Sequence, residues 1–211
     1  MQNHGDQPMV LRERMIERQL KARGIHDERL IAAFQKVERE KFVPTETQDQ
    51  AYEDHPLSIG YEQTISQPYI VALMSESLGI VPTDRVLEVG TGSGYQTAIL
   101  SELVQSIYSI EIVTDLYLMA KKRLGELGYQ NVHLKCANGR EGWPEEAPFD
   151  KIIVTAAAND FCPSWTDQLK EGGRIVAPIG EDDQELMLGT KVGGKLATRH
   201  LLSVRFVLLK G

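Results

Sequence analysis

Cysteine is scarce in this chain, basic residues are outnumbered, and long apolar runs are missing. Each shortage removes a class of protein. Only Cys136 and Cys162 occur in 211 residues, outside any CxxC pair or metal-ligand spacing, which argues against a disulfide framework or a zinc site. Two buried thiols in a reducing compartment are the expectation. Lys and Arg number 23 against 30 Asp and Glu, a formal net charge of -7. A nucleic-acid binder normally shows a basic excess or stripe, so no nucleic-acid partner is expected. No stretch approaches the roughly 20 apolar residues that cross a bilayer, and the polar start has no apolar signal core. The reading is a cytoplasmic protein with no membrane partner. The five histidines (His4, His26, His55, His133 and His200) are scattered and suggest neither a metal site nor a histidine-based triad.

Three regions follow from the patterning. Residues 1–8 are polar with Gly5 and Pro8 and read as a disordered tail. Residues 9–83 read as a helical extension. In it Val10, Leu11, Met15, Ile16 and Leu20 recur at helical spacing before Gly24, and Asp27 is placed to cap a second helix carrying Leu30, Ile31, Phe34 and Val37. Residues 45–63 show no clear period and read as loop, and Ser66-Gln67-Pro68 opens a third helix to about Leu78. From residue 84 the pattern changes. β-rich runs at 85–89, 107–110, 132–135, 151–155 and 174–179 alternate with helical stretches at 95–103, 115–127 and 164–169, the signature of a doubly wound parallel α/β sheet. Runs at 186–191 and 201–209, with Gly193-Gly194 between them, predict a closing antiparallel hairpin. The expectation is a mixed, Rossmann-like sheet of about seven strands over residues 84–211.

The first strand of that sheet runs into Val86-Leu87-Glu88-Val89-Gly90-Thr91-Gly92-Ser93-Gly94, and a strand, glycine turn and helix make the ligand corner of such sheets. A dinucleotide fingerprint G-x-G-x-x-G would need glycine at position 95, where Tyr95 stands. Glu88 beside the turn would repel a pyrophosphate but suits a cationic ligand, through contact or through its field. S-adenosylmethionine, with a sulfonium and an ammonium group, fits. Glu88 could also be an ordinary salt-bridged strand end. Glu111, at the end of the second strand, stands where doubly wound folds place an acid on ribose hydroxyls. The cofactor residues expected from this corner are Glu88, Gly90, Thr91, Gly92, Ser93, Gly94, Glu111 and Ile112.

Further runs carry a more specific likeness: Phe42-Val43-Pro44, Ala51-Tyr52, Ile59-Gly60, Gln63-Thr64-Ile65-Ser66-Gln67-Pro68, Ala147-Pro148-Phe149-Asp150, residues 169–174, and Arg205-Phe206-Val207. Together with the glycine loop, the chain resembles the protein-L-isoaspartate (D-aspartate) O-methyltransferase family over essentially everything after the tail. The resemblance implies methyl esterification of the free carboxylate of L-isoaspartyl or D-aspartyl residues in damaged proteins, followed by succinimide formation. It implies that Ser66 is the active-site serine, that Thr64 and Ile65 line the site, and that the last strands are arranged differently from those of most methyltransferases. From its setting alone, Ser66 could equally be a helix N-cap. A carboxylate acceptor is already ionised at neutral pH, so no general base is called for.

Two departures from the family pattern carry expectations. Where the family has Gly-Asp-Gly after the third strand, this chain has Ala137-Asn138-Gly139; Asn138 and Gly139 should meet the adenine, with Asn138 weakening the contact relative to Asp. Glu62 stands where a small residue is common and could meet an acidic acceptor unfavourably. A divergent homologue acting as an adaptor, a small-molecule methyltransferase and a nucleotide-binding oxidoreductase are the rival readings. Nothing reads as a dedicated interface, so a monomer is expected.

Overall fold

The computed structural model describes residues 7–211. The expected tail therefore lies largely outside the described residues, but Gln7 and Pro8 do not belong to it: they open helix α1 (Gln7–Met15). The helix widens into a π turn at Ile16–Leu20, tightens to a 3-10 turn at Lys21–Arg23 and stops at Gly24, whose φ of 89° is left-handed. Asp27 caps α2 (Glu28–Lys36), its carboxylate accepting from the Arg29 and Leu30 amides. The stretch before Ser66, expected as loop, contains structure of its own. Strands β1 (Leu57–Gly60) and β2 (Gln63–Ile65) pair antiparallel. Their turn places Tyr61 and Glu62 at φ 55° and 59°, positions where a glycine or asparagine would have announced the hairpin. Helix α3 (Pro68–Ser77) follows.

The main sheet has seven strands: β3 (Arg85–Val89), β4 (Ser106–Glu111), β5 (Val132–Cys136), β6 (Phe149–Val154), β7 (Leu169–Ile179), β8 (Gln184–Val192) and β9 (Lys195–Val204). Their order is β5-β4-β3-β6-β7-β8-β9, parallel through β7 and antiparallel thereafter. Helices α4 (Tyr95–Ser101), α5 (Thr114–Glu126) and α6 (Pro163–Gln168) supply three of the crossovers. The chain steps outward from β3 to β4 and β5, then returns to the other side of β3 for β6. That reversal puts the topological switch point, where such sheets bind ligands, between the C-terminal ends of β3 and β6.

The hairpin after β7 differs from expectation in its second strand. Gly193 and Gly194 turn the chain at φ 58° and 77°, with Val192 opposite Lys195, so β9 begins earlier and ends at Val204 rather than at residue 209. The Gln184 side chain accepts from the Phe206 amide and donates to its carbonyl. Beyond it the chain turns across the sheet end, where the Ala157 amide bonds the Val207 carbonyl and the Leu209 amide bonds the Ala157 carbonyl, both at 2.8 Å.

The strand pleat sorts the apolar side chains into two layers. Leu87, Ile110, Ile152, Val154 and Ile175 pack with Trp165 on one face. Val86, Ile107, Ile153 and Val176 face the other, in one cluster with Met15, Leu30, Phe34 and Phe42 of the extension. The extension thus completes one core of the sheet. Both cysteines are free, but Cys136 is exposed and Cys162 half-buried; β5 is an edge strand, so the expectation of buried thiols fails there.

Candidate functional site

At the switch point the backbone of the glycine loop is held from three sides. The Gly90 and Thr91 amides both donate to the Ile110 carbonyl. The Gly92 amide donates to one oxygen of Glu111 at 2.8 Å, and the Val113 amide to the other at 2.9 Å. The Arg123 guanidinium donates to the Ser93 carbonyl at 2.8 Å. Gly90, Gly92 and Gly94 all have positive φ (98°, 54° and 88°), so the G-x-G-x-G spacing answers a backbone need. The extension secures the loop from behind. Tyr95, the first residue of α4, is buried between the edges of Phe34 and Phe42. The Arg39 guanidinium lies 4.9 Å from the Tyr95 ring centre; fully buried, it is pulled down by desolvation to a pKa of about 10.

A cavity opens over this loop. It brings together Thr64, Ile65, Ser66, Gly90, Gly92, Ser93, Glu111, Ile112 and Gly139. Four expected members do not line it. Thr91 turns its hydroxyl 2.6 Å from Ser109 Oγ, and Gly94, the N-cap of α4, packs toward Leu124 of α5. Asn138 uses one lone pair of its side-chain oxygen to cap the Arg140 amide at 3.0 Å.

Glu88 is the fourth, and it corrects the contact imagined for it. The pleat of β3 turns it away from the cavity, under α4, where it is fully buried. One carboxyl oxygen accepts from Thr97 Oγ1 at 2.5 Å and from Ser109 Oγ at 2.6 Å; the other has no partner. Desolvation raises its pKa to about 8, against the pull of the two hydroxyls, with Glu111 nearby adding to the rise. At neutral pH the group is mostly uncharged, so it neither touches a cation in the cavity nor offers one much of a field.

A second, open hollow adjoins the first. Arg23, Pro56, Gln67 and Ile70 form one side of it and residues 202–207 the other. Ser66 lies one residue before Gln67, the N-cap position of α3, and Gln67 makes no side-chain cap bond. The ordinary-cap reading of Ser66 therefore falls; its place is on the wall of both hollows. Glu62 lines neither hollow; it is largely exposed, its carboxylate 3.5 Å from the Lys210 ammonium. No histidine borders either hollow, and no group of three or more His, Cys, Asp or Glu among the described residues could hold a metal.

The residues present fit an S-adenosyl ligand better than a dinucleotide. The loop amide that would grip a phosphate, at Gly92, is already held by the Glu111 carboxylate. That carboxylate retains free lone pairs for sugar hydroxyls.

Known proteins share both this architecture and much of its sequence. The sequence profile of protein-L-isoaspartate(D-aspartate) O-methyltransferase matches residues 11–211. The chain belongs to that family. A protein-L-isoaspartate O-methyltransferase of Picosynechococcus sp. is 47% identical over 206 residues, covering 98% of this chain and 93% of that protein. One from Opitutus terrae is 52% identical over 198 residues, covering 93% and 85%. Among solved structures, a protein-L-isoaspartate O-methyltransferase superposes with a TM-score of 0.88 at 33% identity; the match covers 95% of this chain and spans 66% of that one. A putative family member from Plasmodium falciparum, in complex with S-adenosyl-L-homocysteine, gives a TM-score of 0.81 at 28% identity, covering 96% and 98%.

Sequence reasoning missed part of the site. Thr155 and residues 207–210 also line the cavity. Thr155 carried a weak signal, as a hydroxyl at the C-terminal end of a central strand. Val207 carried only its place in the Arg205-Phe206-Val207 run, and residues 208–210 read as the end of an ordinary strand.

Proposed function

We propose that the protein is an S-adenosylmethionine-dependent carboxyl methyltransferase. Its acceptor is the free carboxylate of L-isoaspartyl, and also D-aspartyl, residues in damaged proteins and peptides. The observation that carries this reading is the meeting of the cavity over the glycine loop and an open groove at Thr64, Ser66, Thr155 and Val207, the four residues that border both. A peptide segment in the groove reaches the cofactor cavity there and nowhere else along these walls.

Bound S-adenosylmethionine supplies an electrophilic methyl group on a cationic sulfur. The Gly90–Ser93 backbone and Ile112 would shape its bed, the Glu111 carboxylate would accept from its ribose, and Gly139 would wall the adenine end. The Ser66 hydroxyl donates to the acceptor carboxylate and orients it, while Thr64 and Ile65 hold that segment in place. No residue has to remove a proton, because the acceptor is ionised near pH 7, which suits a site without histidine. In transfer the carboxylate oxygen forms the new bond to carbon as the carbon–sulfur pair returns to sulfur. Both charges vanish, leaving a neutral ester and a neutral thioether. The chain's contribution is alignment in a water-poor junction. Afterwards a backbone nitrogen of the substrate displaces methanol to give a succinimide, with no help required from the protein.

The protein is read as a monomer with one catalytic unit, residues 9–83 forming the extension and 84–211 the methyltransferase fold. The shared hydrophobic cluster supports treating them as inseparable. A cytoplasmic setting without nucleic-acid or membrane partners fits the net charge of -7, and no helix among the described residues is long and apolar enough to cross a membrane. The test is labelled S-adenosylmethionine supplied with an isoaspartyl peptide and its normal aspartyl twin. Base-labile label on the isoaspartyl peptide alone is expected. Cofactor binding without label on either peptide would refute the reading and favour an adaptor.

A further inference from the structure

Of the four residues common to cavity and groove, Thr155 is one to which neither the sequence pattern nor the proposed chemistry gives a task. It follows β6 directly, at the switch point, and is half-buried. Its amide donates to the Val89 carbonyl at 2.9 Å. Its hydroxyl oxygen lies 2.6 Å from the Gly90 carbonyl oxygen and 3.1 Å from that of Val89. A hydroxyl owns one proton and two lone pairs. Both neighbours are carbonyl oxygens, which only accept, so the proton is committed to the loop backbone and the lone pairs are what remain. The position is tightly set. A side chain at Gly90 would bring its Cβ to 2.4 Å from this oxygen, so Thr155 Oγ1 fills the space left by the first glycine of the loop.

We propose that Thr155 Oγ1 is an acceptor that faces the methylsulfonium end of the cofactor and distinguishes the cationic reactant from the neutral product. This rests on the methyltransferase reading above. The C–H groups of a methyl on positive sulfur are polarised and attract an oxygen lone pair, a weak contact of the C–H···O kind. Transfer of the methyl removes both the polarised group and the charge. The same oxygen therefore favours S-adenosylmethionine over S-adenosylhomocysteine and steers the methyl toward the junction shared with Ser66. Thr155 is in this sense a positioning residue for the reaction, and its tie to the Gly90 carbonyl keeps the acceptor aimed.

The test compares Thr155→Val, which keeps the shape and loses the oxygen, with Thr155→Ser, which keeps the oxygen. Affinities for S-adenosylmethionine and S-adenosylhomocysteine are measured by calorimetry in the absence of any acceptor peptide, with thermal unfolding as a check on folding. Thr155→Val should lose about three- to fivefold more affinity for the sulfonium than for the thioether, and Thr155→Ser should restore the ratio. Equal losses for both ligands would mean that Thr155 only braces the loop, and the proposal fails; so does an unchanged ratio. Should Thr155→Val not fold, Thr155→Ala against Thr155→Ser gives the same comparison. Because no peptide is present, a protein that binds both ligands but never methylates isoaspartyl peptides would sink the proposed function while leaving this ratio to be read.

Discussion

Replacing Glu88 by glutamine should make the protein more stable in mild alkali while leaving it nearly unchanged in mild acid. The carboxyl is fully buried, with two hydroxyls on one oxygen and no partner on the other. Desolvation raises its pKa from 4.5 to about 8. The folded protein therefore keeps a proton that the unfolded chain releases above about pH 4.5. The stability this contributes is whole below the unfolded pKa and is lost as pH rises through the folded one. A tenfold change in proton affinity is worth about 1.4 kcal/mol, so a rise of this size sets a ceiling of about 5 kcal/mol. Small rearrangements that admit water to the partnerless oxygen reduce it, and roughly 2–3 kcal/mol is the working expectation. Glutamine has nearly the same shape and does not titrate, and the other ionisable groups cancel in the comparison. Urea unfolding of both proteins from about pH 5 to pH 9 reads the difference. It should grow in favour of Glu88→Gln by about 2–3 kcal/mol, or about 5–10 °C in Tm for a domain of this size. Parallel profiles would refute the reasoning. They would mean that Glu88 is ionised in the fold, which would restore the long-range pull on a cationic cofactor that the sequence suggested.

Three further outcomes bear on the site. Gly90→Ala sets a Cβ at 2.4 Å from Thr155 Oγ1 on a backbone with φ of 98°; it should abolish S-adenosylhomocysteine binding measured by calorimetry and cost at least about 1–2 kcal/mol of stability, and an unchanged affinity would show that the loop is not the cofactor bed. Ser66→Ala should lower turnover on an isoaspartyl peptide with little change in S-adenosylhomocysteine affinity. Since Ser66 is not the N-cap of α3, its unfolding free energy should move by less than about 0.5 kcal/mol; a loss nearer 1 kcal/mol with unaltered turnover would return it to a capping role. Asn138→Asp preserves the cap on Arg140 and should leave S-adenosylhomocysteine affinity within about a factor of two, because the side chain does not line the cavity. A tenfold gain would show that the side chain reaches the adenine after all.

The sequence by itself determined the features written in local periods and turn chemistry. Alternating strand and helix patterns specified the parallel sheet, Asp27 marked the start of α2, and Gly193-Gly194 marked the closing hairpin. The spacing of Gly90, Gly92 and Gly94 located the ligand corner because all three positions take a positive φ, which glycine adopts at no steric cost. The Thr64–Pro68 run singled out Ser66, a position its neighbours alone would have left as a cap. Tertiary structure decided which way side chains point and which distant segments meet. Glu88 looks like a ligand of the loop in one dimension; the pleat of β3 sends it under α4, where burial discharges it. The β1–β2 turn was hidden because Tyr61 and Glu62 adopt positive φ without a turn residue to signal it. Strand β9 ends where the Gln184 side chain captures the Phe206 backbone, a contact no strand pattern encodes. That early end frees residues 207–210 to cross the sheet and wall the cavity beside Thr155. The junction of cavity and groove draws on positions 64, 66, 155 and 207, and such long-range closure depends on packing that no local period records.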